Sequence, residues 1–497
     1  MQHYFKVPSL ILEGLEIEGI QIEALRTRGP SGLTITGMPD AWLKESRDKI
    51  RSLVHRYVQW KVTDKVLLNI LPAEKVKVGA HLELPLALAC LGVMDLEMAP
   101  TQIENLNFMG SLNLEGKIEH TDTSLLIEEL SEEPFVGPNQ EESFEILVSK
   151  IRTGCAPNID LREKSNIEKK LITKWQRKKQ KYFESAPQID VQNRLWERLW
   201  LFVGAVTRLP VLMMGPPGTG KTTLAHWIHS QLPMPDPDTL KNIDKIWRLS
   251  RSNPMGVPPL VNPHARTRLS DFVGTLSKNR LPDPGFFSVA HGGVLLLDEF
   301  LEVSRDCRES LRTVLERKTL EKRSATGIFI WPADFWFIAT ANPCPCGFAR
   351  GFDLSSCRCS PQQLRNYQNK LSGPLFDRFG IRLPISPKHF PISKGIDLGF
   401  LDLGPEGLSQ KLNELRRTLK IDPKKFIERF RSMNSVLEFS QREVLHHGQN
   451  LLVLDSLFPD LSAKQRNQLL EDLVREERLF FSNYLVPNLW NQGVSHA

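Results

Sequence analysis

The stretch Val211-Leu-Met-Met-Gly215-Pro216-Pro217-Gly218-Thr219-Gly220-Lys221-Thr222 decides how the rest of the chain is read. From Gly215 it matches G-x-x-x-x-G-K-[ST] at every fixed position. The apolar run before it reads as a short buried strand, and Thr223-Leu-Ala-His-Trp-Ile-His229 after it as the start of a helix. Strand, glycine-rich loop and helix together turn backbone N–H groups and a helix N-terminus toward a phosphate. Glycine is needed there because a Cβ would hinder the approach. In such a loop Lys221 reaches the β- and γ-phosphates of ATP, and the Thr222 hydroxyl holds Mg²⁺. The plain alternative is a Gly/Pro-rich surface turn. A full match with both flanks in place weighs against it.

Two further strands end in polar groups suited to the same chemistry. Gly293-Val-Leu-Leu-Leu-Asp298-Glu299 is an apolar strand closed by two acids. Asp298 is the candidate Mg²⁺ holder, and Glu299 the candidate for polarising the attacking water. Acids at strand ends are common, so this signal gains its weight from the P-loop upstream. Phe335-Trp-Phe-Ile-Ala-Thr-Ala-Asn342 is another apolar strand ending in an amide, and it resembles the AAA+ sensor 1 strand, where Asn342 would orient water against the γ-phosphate. An ordinary strand-end Asn is the alternative.

The chain has 497 residues and a formal charge of +6. That length calls for several domains. The mild basicity permits a nucleic-acid partner without requiring one. Seven cysteines without a recognisable leader point to a reducing, cytoplasmic setting. No long uncharged apolar run suggests a membrane span; Leu195 to Met214 is broken by Glu197, Arg198 and Arg208. The expected organisation is an N-terminal α/β unit over 1–160, a basic linker over 161–189, a P-loop α/β core over 190–385, and helices over 386–497. Within the first unit, Gly19–Leu25, Leu33–Gly37 and Val66–Leu71 read as strands, and Leu84–Leu91 as an apolar helix. From Arg162 to Lys181 there are nine Lys/Arg against Glu163 and Glu168. This reads as a solvated charged helix or as a nucleic-acid contact.

Four of the seven cysteines form C-x-C-x₁₀-C-x-C at Cys344, Cys346, Cys357 and Cys359. Four thiolates can close a tetrahedral structural Zn²⁺ site, and unliganded thiols are the alternative. Such a site has no open position and hence no catalytic role. Leu315 to Trp331 reads as a hairpin turning at Ala325-Thr-Gly327.

Ile35-Thr-Gly-Met-Pro-Asp-Ala41, Lys44-Glu-Ser-Arg47, Asn69-Ile-Leu-Pro-Ala73, Asn342-Pro-Cys-Pro-Cys-Gly347 and Ser372-Gly-Pro-Leu-Phe-Asp-Arg378 resemble the YifB/ComM family of magnesium-chelatase-like AAA+ ATPases. The resemblance implies a Lon-protease-like (ribosomal S5 domain 2-like) fold for the N-terminal unit. No serine lies near Lys77 to Leu82 to act as nucleophile, so a second, proteolytic site is not expected. By the same resemblance Asn342 is sensor 1. Arg378 is an arginine finger acting on a neighbour's ATP, and Arg442, in Ser440-Gln-Arg442, is sensor 2. The C-terminal helices are an AAA+ lid. The hairpin occupies the pre-sensor-1 position, where Lys322 and Arg323 would face DNA phosphates in a ring's channel; a solvated charged hairpin is the alternative. Members are hexameric motors acting on DNA, which implies an ATP- and Mg²⁺-dependent helicase or branch-migration enzyme working on single-stranded or branched DNA. A protein-remodelling or chelatase-type motor, and a nucleotide-binding paralogue without turnover, stay open as alternatives.

Overall fold

The computed structural model describes residues 3–484 apart from 14–15, 38–40, 73–78, 96–97, 99–102, 104, 132, 160–163, 186–190, 192, 251–255, 276–282, 325–326, 348–356, 372, 386–397 and 419–440. The N-terminal unit begins with strands β1 (His3–Glu13), β2 (Glu16–Arg28) and β3 (Gly32–Thr36), then helix α1 (Ala41–Val54), β4 (Asp64–Leu71) and helix α2 (Glu83–Met94). The sheet order is β1-β2-β4-β3, with β3 parallel to β4 and the other pairs antiparallel. β1 has no counterpart among the sequence expectations. Its Pro8 would break a central strand, but β1 lies at the sheet edge, where a missing N–H is tolerated. α2 is buried on almost every residue, which explains why it is apolar all round.

At its start Glu83 is wholly buried. It accepts from Ser46, from Lys49 at 2.6 Å and from the Leu112 amide at 2.9 Å. The Ser46 hydroxyl therefore serves a carboxylate that pins α1 to α2. Lys77 lies outside the described residues.

Short strands β5 (Asn107–Phe108), β6 (Ser111–Leu112), β7 (Ile118–Glu119) and β8 (Phe135–Val136), with α3 (Asp122–Leu130) and α4 (Phe144–Arg152), complete this part. The basic stretch then departs from its expected form. It is the helix α5 (Lys164–Ser185), and it is docked rather than fully solvated. Trp175 is fully buried against Leu240, Ile243 and Val257, and meets Trp247 edge-on at 4.8 Å. Lys178 sits over both indoles, and Lys174 pairs with the buried Asp244 at 2.7 Å.

The core follows: α6 (Leu195–Thr207), β9 (Val211–Met214), α7 (Lys221–Ser230), α8 (Pro237–Leu249), β10 (Leu260–Val261), α9 (Leu269–Val273), α10 (Phe286–Val289), β11 (Val294–Leu297), α11 (Arg305–Arg317), the hairpin β12 (Thr319–Ser324) and β13 (Gly327–Pro332), β14 (Trp336–Ala341), α12 (Pro361–Gln368), α13 (Gly373–Phe376) and β15 (Ile381–Pro384). Five strands form a wholly parallel sheet in the order β10-β11-β14-β9-β15. Both faces are covered, so the strands read as continuous apolar runs. Leu212, Met214, Leu295, Leu297 and Phe337 enter one core. Val211, Met213, Val294, Leu296 and Ile338 enter the other, which α6 and α7 share with the C-terminal helices. Those are α14 (Gly404–Thr418) and two last helices, Gln441–Leu457 and Ala463–Tyr484. Of the helices expected over 386–497, the part from 419 to 440 lies outside the described residues. Among the described residues no helix is long and apolar enough to cross a membrane.

Candidate nucleotide site

The chain leaves β9, crosses to β11 and β14, and returns to β15 on the other side of β9. A crevice at the carboxyl end of β9 follows from that reversal. The loop there is shaped by three glycines in different ways. A Cβ on Gly215 would fall 2.2 Å from the Ile385 carbonyl oxygen, so the neighbouring strand, and not only a ligand, demands glycine. Gly218 and Gly220 have φ of 77° and 81°, the left-handed region that favours glycine. Gly220 caps α7, and Thr219 closes the loop by donating to the Pro216 carbonyl at 2.8 Å.

Lys221 is the first residue of α7 and is buried. Its ammonium donates to the Gly215 carbonyl at 2.7 Å, the Pro216 carbonyl at 2.8 Å and Asn342 Oδ1 at 3.1 Å. An ammonium has three N–H donors, so all are satisfied. Burial pulls its pKa down to about 8, against the pull of Asp298 and Glu299 in the other direction. Thr222 donates to Asp298 Oδ2 at 3.0 Å. The two candidate Mg²⁺ groups, predicted from separate motifs, are thus in direct contact. A hydroxyl and a carboxylate form an oxygen donor set suited to a hard cation.

Thr340, on β14, was not among the residues the sequence singled out. Its hydroxyl donates to Asp298 Oδ1 and accepts the Glu299 N–H at 3.2 Å. Glu299 has φ 52°, left-handed in a residue other than glycine. Such a conformation persists only where its surroundings hold it, and it clusters at functional sites. Thr340 is one of the groups holding it. Arg194, also missed, precedes α6; it pairs with Glu197 at 2.9 Å and donates to the Thr219 carbonyl at 3.3 Å.

Beyond Asn342 the four cysteines converge. Their sulfurs all lie within 4.8 Å of one another, with Cys344–Cys346 at 3.4 Å and Cys346–Cys357 at 3.7 Å. Tetrahedral Zn–S bonds of about 2.3 Å imply S–S edges of about 3.8 Å, so the donor set fits zinc. The knob touches the P-loop: a Cβ on Gly347 would lie 3.2 Å from Pro217 Cγ. The buried Tyr367 bridges to the sensor strand. Burial raises its pKa, with Glu302 and Cys344 adding, while a bond from the Asn342 amide opposes.

The remaining predicted residues are placed as follows. Arg378 is buried, paired with Glu316 of α11 and donating to the Pro374 carbonyl of its own chain. Lys322 is on β12, and its ammonium donates to the Gly274 carbonyl; burial lowers its pKa. It is therefore turned onto its own chain rather than presented as a free charge. Leu320 and Trp331 anchor the hairpin base in the core, and Ile330 is exposed. The side chains of Arg323 and Arg442 lie outside the described residues, although their backbones belong to β12 and the helix Gln441–Leu457.

A parallel sheet with a phosphate loop, a strand-end acid pair and a facing amide defines a P-loop ATPase of the AAA+ type. The family profile described as "Magnesium chelatase, subunit ChlI" matches residues 189–391, and "Subunit ChlI of Mg-chelatase" matches 22–133. An uncharacterised protein of Mycobacterium tuberculosis (strain H37Rv) is 31% identical over 390 residues, covering 76% of this chain and 75% of that one. The uncharacterised protein YifB of Escherichia coli is 29% identical, covering 75% and 74%. Competence protein ComM of Haemophilus influenzae is 28% identical, covering 76% and 75%. The chain belongs to the YifB/ComM family of magnesium-chelatase-like AAA+ proteins.

Proposed function

We propose that this protein is an ATP-driven motor that assembles as a ring and moves on single-stranded or branched DNA. The observation that carries the ATPase half is the run of contacts Lys221–Asn342 and Thr222–Asp298–Thr340–Glu299 across the ends of three adjacent strands. Lys221, held beside the loop, supplies the fixed positive charge for the phosphates. Thr222 and Asp298 would hold Mg²⁺, which would supply positive charge to offset that of the phosphates. Glu299 polarises the attacking water, and Asn342 positions it against the γ-phosphate. Arg378 completes the site of a neighbouring subunit after leaving Glu316. Sensor 2 is assigned to Arg442. The four cysteines hold a structural zinc that fixes the segment following Asn342. The N-terminal unit is a Lon-protease-like fold without a nucleophile.

The DNA half rests on family membership, on the hairpin β12–β13 and on the competence name of one relative. Both matched profiles carry the name of a chelatase subunit, which supports a metal-insertion motor as the second reading. The test is ATP hydrolysis by the wild type and Lys221→Ala, without DNA and with single-stranded, duplex or four-way-junction DNA, at low and high salt. Stimulation by DNA that fades with salt and is lost in the variant supports the DNA motor. Hydrolysis indifferent to every DNA favours the second reading. No hydrolysis under any condition sinks both.

A further inference from the structure

At the opposite end of the sheet from the P-loop lies a cavity of about 500 Å³. It opens at the amino ends of β11 and β14, where Gly293 and Trp336 line it, and α14 forms one side. That volume is in the range of small-molecule sites. Its lining is of two chemical kinds: the cationic Arg208, Arg416 and Arg417, and the apolar Met234, Pro235 and Pro258.

Two carboxylates also line it, and both are engaged. Asp334 meets Arg208 at 3.6 Å and Lys318 at 3.5 Å. Asp236 accepts from the Thr239 amide at 3.0 Å as the cap of α8. Among the described residues, no carboxylate pairs with Arg416 or Arg417. Arg416 donates through Nε at 3.2 Å and through Nη2 to a single neutral acceptor, the Ala205 carbonyl. Burial, and secondarily the charge of Arg208, lower its pKa to about 10. A largely buried guanidinium with another cation beside it and no counter-charge is unfavourable unless an anion is supplied. His291 adds a donor. Its Nδ1 accepts the Asp334 N–H at 3.2 Å, which leaves the ring proton on Nε2.

We propose that this cavity is a second binding site for a small phosphate-bearing molecule with an apolar portion, such as a nucleotide. The phosphate sits against Arg416 and Arg417, whose planar forks suit its oxygens. The apolar portion lies against Met234, Pro235 and Pro258. Because α14 packs on α6, occupancy would link the helical portion to the sheet from the side away from the P-loop.

Equilibrium dialysis in the Lys221→Ala background tests this, with labelled ADP, with pyrophosphate and with a short single-stranded oligodeoxynucleotide. ADP or pyrophosphate should still bind at about one per chain, and added salt should weaken binding. Arg416→Ala, and separately Arg417→Ala, should each weaken it by about tenfold or more. Arg417 is exposed, so its variant reads binding without a folding defect. The proposal fails if neither small ligand binds, if both arginine variants bind as well as their parent, or if only the oligodeoxynucleotide responds to them.

Discussion

Thr340→Val removes one hydroxyl from a buried position and leaves the shape nearly unchanged. Thr340 is 1% exposed, and its oxygen has two partners, Asp298 and the Glu299 amide. Leaving a buried N–H unpaired costs about 1–3 kcal/mol, and a lost bond to a carboxylate about 1.5–3 kcal/mol. The added methyl recovers about 1 kcal/mol. The net expectation is a destabilisation of about 1.5–5 kcal/mol, at about 2–4 °C in Tm per kcal/mol for a core of this size. The larger effect is on turnover. Glu299 is held at φ 52°, and without the Thr340 contact it relaxes from that conformation. A shift of about 1 Å in a catalytic group can lower a rate by about 100-fold. Since Thr340 acts through Asp298 and Glu299, kcat should fall while the nucleotide KM changes little. Thr340→Ser keeps the hydroxyl and should keep most of the activity. Steady-state ATP hydrolysis with a thermal melt on each variant decides the matter. A Thr340→Val protein turning over within about twofold of wild type would refute the positioning argument.

Further expectations follow from other contacts. Lys221 has its pKa lowered from 10.5 to about 8, so between those values the unfolded chain binds more protons and stability rises with pH; this rise should shrink in Lys221→Met. Nucleotide phosphates restore the charge, so ADP binding near about pH 9 should take up protons, seen by calorimetry in buffers of different ionisation heat; zero uptake contradicts the assignment. Trp175→Ala should cost about 3–5 kcal/mol in a denaturant titration, and a change under about 1 kcal/mol would restore the solvated-helix reading of α5. Metal analysis should find one zinc per chain, lost in Cys344→Ser together with part of the ATPase activity; a zinc content far below one in the wild type rules the metal out.

The placement of the candidate nucleotide site was legible because its residue types stand at characteristic spacing: Gly215–Thr222, Asp298, Glu299 and Asn342 each follow the end of a strand of one sheet. Thr340 was hidden because a threonine inside an apolar strand looks like any β-branched strand residue until its neighbours are known. Arg194 precedes its helix by one residue and touches the loop only through folding. α5 misled through composition: its charges dominate the pattern, while one tryptophan makes the docking contact. β1 escaped because Pro8 argues against a strand, and edge position cannot be read from one sequence. The four cysteines were legible as a cluster, but the approach of the neighbouring Gly347 to Pro217 was not, since it depends on where the knob folds back.

Arg198 is a buried guanidinium on α6. It stacks over Trp227 of α7 at 5.0 Å, pairs with Asp402 at 2.9 Å and donates to the Leu401 carbonyl. One side chain thus clasps the helix that begins with Lys221 and the turn from which α14 departs. The C-terminal helices cannot swing freely about that turn. Any rotation there must carry α6 along or strip a buried cation of its partners, so a displacement at one end of the clasp is felt at the phosphate loop as a pull on α7.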